Sequence, residues 1–425
     1  MKHKVRYAAA AASLSLLLAA CSSSSPDSDA SSGAPKPVEP VEITFWHAYN
    51  ADSQEVALLE DTLIPEFEDA HPGITVKQVA VPYDDLHQKL VTAVAGGELP
   101  DVVRSDIIWV PELANLGVLE PLDTLMDDFG DISAAVYPGP LDTAKWDGHY
   151  YGLPLATNTR VYLSNPDTYT KAGIAVPTTQ QDLVTVAPAI KKAGSYAFAD
   201  NDLSGWNVLP WIWSAGGDLL DPTLSTADGY ANSPESIAAI ELLYNLYKDG
   251  YIPPIITQGG ADGTEDGLGS GEYASTLNGP WDFPIIAGSY PDLQLGSSQA
   301  LSGAGGSISV VGGEDLVVTA SSQKKDASAE WVRFLLSEDA QRQLAGVGQM
   351  SVLKSLGDEM VTIQPYYAEF VTQLETARPR PATPAWNEID QAMKSRLQEA
   401  FLGDGDITAA MNDVATSIDA ILAKY

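Results

Sequence analysis

Cysteine is nearly absent from this 425-residue chain: Cys21 stands alone, so no intramolecular disulfide can form and stability has to come from packing. Basic residues are scarce as well. Lys and Arg number 23 against 57 Asp and Glu, for a formal net charge of -34 and a pI near 4.2. Negative potential of that size repels phosphate backbones and acidic lipid headgroups, which excludes nucleic acid as a partner. Past residue 20 no apolar run approaches the roughly 18 residues of a membrane-spanning helix. His47, His71, His87 and His149 are not paired at metal-ligand spacing. Missing too are G-x-S-x-G, a Walker loop, G-x-G-x-x-G after a strand, C-x-x-C and H-E-x-x-H. No catalytic residue, metal or cofactor is therefore expected. The run Asp262–Gly267 looks superficially like a calcium loop, but Thr264 stands at its third position and Tyr273 at its twelfth, where calcium needs carboxylates.

The amino terminus is chemically unlike the rest. Lys2, Lys4 and Arg6 precede the apolar stretch Ala8–Ala20, the pattern of an export signal over residues 1–20. It ends in Leu18-Ala19-Ala20-Cys21, which resembles a bacterial lipobox; the resemblance implies cleavage before Cys21 and acylation of that residue. Cleavage would leave 20 basic residues against all 57 acids. Ser22 to Pro40 is rich in Ser, Asp, Ala and Pro, too poor in large apolar groups to offset its ordering entropy. Residues 21–40 read as a lipidated cysteine and a disordered tether.

From Val41 the periodicity becomes globular. Val41, Ile43 and Phe45 alternate with Glu42 and Thr44, as in a strand. Asp52 is placed to cap a helix carrying Val56, Leu59, Leu63 and Phe67, which His71-Pro72-Gly73 stops. Ile74–Val81 reads as a second strand, Asp84–Ala95 as a second helix and Pro100–Val103 as the start of a third strand. Such alternation implies a parallel sheet covered by helices. Later, Ser233-Pro234 begins a helix that Gly250 ends, and further helices are expected at Asp326–Leu344 and Ile407–Leu422. No short internal repeat occurs, which argues against solenoids and propellers.

Tryptophan stands where loops are expected. Trp46 follows a strand; Trp206, Trp211 and Trp213 follow a Gly/Asn/Asp-rich segment; Trp281 lies in Asn278-Gly279-Pro280-Trp281; Trp386 follows Pro384 by two. Indole faces beside Asp, Asn and Arg suit a neutral polyhydroxyl ligand, with the ring on the C–H face of a sugar and polar groups on its hydroxyls.

A set of landmarks in order extends this reading: Ile43-Thr44-Phe45-Trp46, Leu99-Pro100-Asp101-Val102-Val103, Gly117–Leu122, Tyr151-Gly152-Leu153-Pro154 with Thr157-Asn158-Thr159-Arg160, Ala215-Gly216-Gly217, Asn278–Trp281 and Gly312-Gly313-Glu314. From Val41 onward the chain resembles the extracellular solute-binding lipoproteins of ATP-binding-cassette importers, in the carbohydrate class of the maltose-binding protein family. The resemblance implies an α/β fold of two lobes with parallel-rich sheets, three hinge crossings and a ligand cleft between the lobes. Residues 41–156 and 313–346 would form the first lobe, and 157–312 and 347–425 the second. Glycine at two of the three crossings suits a hinge.

Carried over residue by residue, the resemblance implies binding roles for Trp46, Asn50, Tyr83, Ser105 and Asp106 on the first wall and for Asn158 and Thr159 at the hinge side. From the second lobe come Trp206 and Trp281 with Trp386 as stacking platforms, and Glu314 beside the glycine pair is a hydroxyl acceptor. Arg160 is equally suited to a structural ion pair between the lobes. Ser105 stands where maltose-binding protein has Trp, and Ser164-Asn165-Pro166-Asp167 replaces a Tyr-Asn-Lys run, which puts maltose itself in doubt. The expected partners are a neutral mono- or oligosaccharide and the permease subunits of an importer, with a monomeric chain held at the outer face of the bacterial cell membrane by lipid alone. Glycerol phosphates are disfavoured, because no basic cluster is evident at these loops. Two other classes stay open: a solute-binding protein for a peptide or polyamine, and a surface glycosidase using two of the many carboxylates.

Overall fold

The structure, a computed structural model, describes residues 40–425 apart from 52, 259–262, 404 and the side chain of residue 84. The export signal, Cys21 and the tether up to residue 39 lie outside the described residues, as do the helix cap expected at Asp52 and the start of the calcium-like loop at Asp262. Pro40–Tyr425 is one compact unit.

Beside a two-stranded hairpin of Lys145–Trp146 and His149–Tyr150, the strands of its two main sheets are β1 (Val41–His47), β2 (Ile74–Ala80), β3 (Val102–Asp106), β4 (Leu153–Thr159), β5 (Val161–Ser164), β6 (Ser275–Asn278), β7 (Gly296–Ser298), β8 (Val310–Val318) and β9 (Arg378–Pro379). In the larger sheet β1 runs parallel to both β2 and β3, as the alternation of strands and helices requires. The long β8 then runs antiparallel to β3 and β4, and its first residues pair with β9. The smaller sheet, β6-β5-β7, is antiparallel throughout, unlike the parallel-rich expectation. A parallel neighbour survives there as two isolated bridges, Tyr196 to Tyr273 and Ala199 to Thr276, between which Ala197 N–H turns to the Tyr251 carbonyl.

Most helices begin and end where local chemistry dictates. Ser53, next to the position expected to cap the first helix, accepts from Val56 N–H. The ladder then opens to a π turn over Leu59–Leu63, just before Pro65 with its missing N–H. Gly97, at φ 71°, ends Tyr83–Gly96. Ser233 caps Pro234–Lys248, and Ile407–Leu422 lies where its apolar stripe puts it. The helix expected at Asp326–Leu344 is two, Lys325–Leu335 and Glu338–Gly346, because Ser337 turns its hydroxyl to Ala340 N–H and starts a new one.

Two cores follow the two sheets. On one face of the larger sheet Ile43, Phe45 and Leu316 meet Trp331 and Leu335; on the other, Val103 and Val317 meet Leu86, Leu90 and Trp109. The second core gathers Tyr162, Trp211, Trp213, Leu243, Trp386, Met411 and Ile418. Each buried side chain of this size contributes about 1.5–3 kcal/mol. Arg160 links β4 of the larger sheet to β5 of the smaller, and Gly312-Gly313 lies inside β8, whose Val310 joins the second core while its Leu316 and Val318 join the first. Gly313 sits at φ 146°, and a Cβ there would lie 2.4 Å from the Ala156 carbonyl oxygen, so only glycine fits. The segment near the third expected crossing touches both regions: Ala345 and Met350 pack with Val161 and Leu163, whereas Val352, Leu353 and Leu356 join the core under the larger sheet.

Candidate functional site at the seam between the sheets

Strand alternation places Arg104 and Asp106 on one face of β3 and Ser105 on the other. Register then brings Glu314 of β8 opposite Asp106, on the same face. Glu314 pairs with Arg104 at 2.7 Å. Asp106 is a hub: its Oδ2 accepts from the Tyr83 hydroxyl at 2.6 Å, and its Oδ1 accepts from Ile108 N–H at 3.0 Å and Arg380 Nη2 at 3.1 Å. The Tyr83 ring is exposed, but desolvation of its hydroxyl, aided by the Asp106 charge, holds that group well above the usual tyrosine range. Arg104 lies over the Tyr49 ring at 4.1 Å and donates to Gln349 at 3.2 Å, which donates to Glu55 at 3.1 Å. Burial pushes the Tyr49 hydroxyl up to about 12 and raises the Glu314 carboxyl against the pull of Arg104.

The facing wall is aromatic. Trp206 opens the Gly205–Ala215 helix and stays partly exposed, with the guanidinium of Arg380 at 5.1 Å and that of Arg160 at 5.6 Å from its ring. Trp281 lies 6.5 Å away at an interplanar angle of 26°. Gly312 permits this approach: a Cβ there would come within 2.3 Å of Asn158 Oδ1 and 2.7 Å of the Trp206 ring. Asn158 Oδ1 is buried and has no hydrogen-bond partner among the described residues, and neither has Nε of Arg104, Arg160 or Arg380. Arg160 makes its ion pair with Asp200, at 2.8 Å, and also donates to the carbonyls of Trp206 and Leu277.

A second contact closes the seam from the same two sides. The side-chain amide of Asn387 meets His87 Nε2 at 3.2 Å and the carboxylate of Glu112, which lies 2.8 Å from His87.

A sequence model of bacterial extracellular solute-binding proteins matches residues 50–342. The chain belongs to that family. A binding protein of Brucella abortus (strain 2308) is 28% identical over 375 residues, covering 84% of this chain and 88% of its own. Among solved structures, a solute-binding protein of Thermotoga lettingae bound with α-D-tagatose is similar at TM-score 0.81 and 25% identity, covering 90% of this chain and 100% of that one. The sugar-binding protein MalE of Xanthomonas citri follows at TM-score 0.71 and 26% identity, with 90% and 98% covered. The fold is the two-lobe α/β fold of these solute-binding proteins, with the seam between its lobes.

For this family member the expected binding residues divide. Tyr83, Asp106, Asn158, Trp206, Trp281 and Glu314 converge on the seam. Ser105 does not: it is fully buried on the opposite face of β3, beside Asp315. Thr159 is fully buried too and spends its hydroxyl on the Val310 carbonyl at 2.8 Å. Trp386 is a core side chain at 1% exposure rather than a platform, packed beneath Gly205 in the second core. Trp46 is partly buried between the sheet and the Tyr83–Gly96 helix, with Lys89 Nζ 4.2 Å above its ring. Asn50 is exposed on the loop after β1, where its carbonyl accepts from Ser53. Trp211 and Trp213 are not loop residues but buried members of the Trp206 helix.

Sequence reasoning missed Arg380 and Arg104, and with them a basic cluster at the seam. Arg104 was readable as the residue two before Asp106. Arg380, between Pro379 and Pro381, carried only the signal of an extended segment. Each of Arg104, Arg160 and Arg380 has a carboxylate of its own, so the cluster is close to neutral. Facing carboxylates of the kind a glycosidase would need include Glu314 opposite Asp106 at the seam, each paired with an arginine, and Asp282 with Glu265. Burial and then the Glu265 charge hold the Asp282 carboxyl well above the usual range. Asp282 is fully buried, out of reach of a substrate.

Proposed function

We propose that the seam captures a neutral sugar, an oligosaccharide in particular, and that the chain binds it without transforming it and delivers it to an importer permease. The observation that carries this reading is the partly exposed Trp206, near-parallel to Trp281 and bordered by buried polar atoms of Asn158 and Arg380 that have no partner among the described residues. An indole face offers apolar area to sugar C–H groups, and unpaired donors and acceptors await hydroxyls. Because each arginine is already paired, an anionic ligand would find no free cation and a polyamine no free carboxylate pair. The tagatose complex of the Thermotoga lettingae relative supports a sugar.

Under this reading the lobes are 41–156 with 313–346 and 157–312 with 347–425, the segment 345–356 being shared between them. Asp106–Arg380 and Glu112–Asn387 then hold the closed form, which ligand favours by bridging both walls. A curated relative of Streptomyces antibioticus is described as a lipoprotein, which supports anchoring through Cys21 at the outer face of the cell membrane, with the chain monomeric.

Calorimetry on residues 41–425 against neutral oligosaccharides of differing linkage tests the proposal, with each sugar recovered by chromatography. Saturable heat at one site per chain and an intact sugar are expected. Silence with every sugar, but heat with amines or peptides, would overturn the ligand class; a shortened sugar would make the protein a glycosidase.

A further inference from the structure

Residues 348–350, at the third expected crossing, touch both walls of the seam in succession. Gly348 sits at φ 99°, so close to the aromatic wall that a Cβ there would lie 3.1 Å from Trp281 Cα and 3.3 Å from the Pro284 ring. The side chain of Gln349 turns to the ionic wall, where its Oε1 accepts from Arg104 Nη2 at 3.2 Å and its Nε2 donates to the Glu55 carboxylate at 3.1 Å. Met350 then offers its carbonyl to Thr157 N–H at 3.2 Å, one residue before Asn158.

The Gln349 amide can lie only one way round. A guanidinium offers donors alone and a carboxylate acceptors alone, so its oxygen faces Arg104 and its nitrogen Glu55. All three residues are buried, where an amide of fixed polarity between a cation and an anion is held firmly. The backbone does not need this side chain, since Gln349 N–H already donates to the Leu344 carbonyl at 3.1 Å. With Glu314 at 2.7 Å and the Tyr49 ring at 4.1 Å on its other sides, Arg104 is fixed in direction. Its Nε is left without a partner among the described residues.

We propose that Gln349 is a positioning residue for ligand capture: by tying the third crossing to Arg104, it sets Trp281, which lies against the adjacent Gly348, in register with the ionic wall. One ligand then meets guanidinium and indole together. The proposal rests on the sugar reading of the seam. Gln349 acts through its neighbours without touching the ligand, and its effect requires both walls.

The test is calorimetry on residues 40–425, the compact unit of the fold, with α-linked and β-linked gluco-oligosaccharides of two to six units, using the one that the wild type binds most tightly. Gln349→Glu sets a second carboxylate against Glu55 and is expected to weaken that sugar about tenfold. Adding Glu55→Gln restores the order of donors and acceptors, and affinity should return to within about twofold of the wild type. Gln349→Met, similar in length but apolar, makes neither bond; it should also cost about tenfold, and it carries the test if circular dichroism shows Gln349→Glu unfolded. In a Trp281→Ala background either substitution should cost less than about twofold, because no platform is left to align. A residue that merely supports the fold would cost the same in both backgrounds, so equal costs overturn the proposal. So do Gln349 variants that bind like the wild type, or a double variant no better than Gln349→Glu; each leaves the seam standing. If no sugar binds the wild type, the reading of the seam fails and this proposal falls with it.

Discussion

The two walls of the seam solve one problem with different chemistry. The β3/β8 wall is ionic: Arg104, Asp106 and Glu314 lie on neighbouring strands, fixed by register and paired among themselves or with Arg380. The opposite wall is aromatic, with Trp206 at a helix start and Trp281 at a turn. An ionic wall positions hydroxyls and is intolerant of deletion, because a lost partner leaves a buried charge. An aromatic wall supplies area and tolerates more.

The largest effect separates the aromatic wall from the core behind it. Trp386→Ala should lower the unfolding free energy by about 3–5 kcal/mol in urea titrations, as expected for a large buried ring. Trp206→Ala should cost less than about 1 kcal/mol of stability and yet weaken sugar binding tenfold or more. If both variants lose stability alike, the division between platform and core is wrong.

Next in size is the ionic wall. Arg380→Ala leaves Asp106 buried beside Tyr83 without its cation, and about 3 kcal/mol of ligand affinity should go with it. Adding Asp106→Ala should restore part of that loss. Additive losses in the double-mutant cycle would show that the two side chains act independently.

These pairs also show what was legible in the chain and what was not. The alternation in Val41–Phe45, the Ser233-Pro234 start and the amphipathic stripe of Ile407–Leu422 are local signals, and the elements stand there. Ser337 was an equally local cap, masked by apolar residues that continue at helical spacing past it through Ala340 and Leu344. Of the six residues that reach the seam, Tyr83, Trp206 and Trp281 stand at helix starts, whereas Asp106, Asn158 and Glu314 lie in strands. Among the five that do not, Ser105 and Trp386 differ by one step of strand alternation or of helix rotation. Asp106 and Arg380 lie 274 residues apart, and no periodicity relates partners at that distance. Ring exposure is likewise a tertiary property, so Trp206 and Trp386 look alike until packed.

A smaller effect links the walls to pH. Asp390 accepts from Gly205 N–H at 2.5 Å, at the start of the Trp206 helix, and burial pushes its carboxyl up to about 6 from an ordinary 3.8. A raised carboxyl binds its proton more tightly in the folded chain, so its stabilising contribution is complete below pH 3.8 and is lost as pH rises through 6. Melting temperatures between pH 4 and 7 should therefore decline more steeply with rising pH in the wild type than in Asp390→Asn. Equal slopes would place the titration elsewhere.

The smallest effect concerns the ionic strand itself. Ser105 lies between Arg104 and Asp106 but faces away from both, and its hydroxyl donates only to the neighbouring Asp106 carbonyl, at 3.1 Å. Ser105→Ala removes one modest hydrogen bond and should cost about 1 kcal/mol of stability or less. Sugar affinity should not change, because strand alternation keeps position 105 off the seam whatever occupies it. A tenfold loss of affinity in this variant would mean that the register of β3 against β8, and with it the ionic wall, differs when ligand is bound.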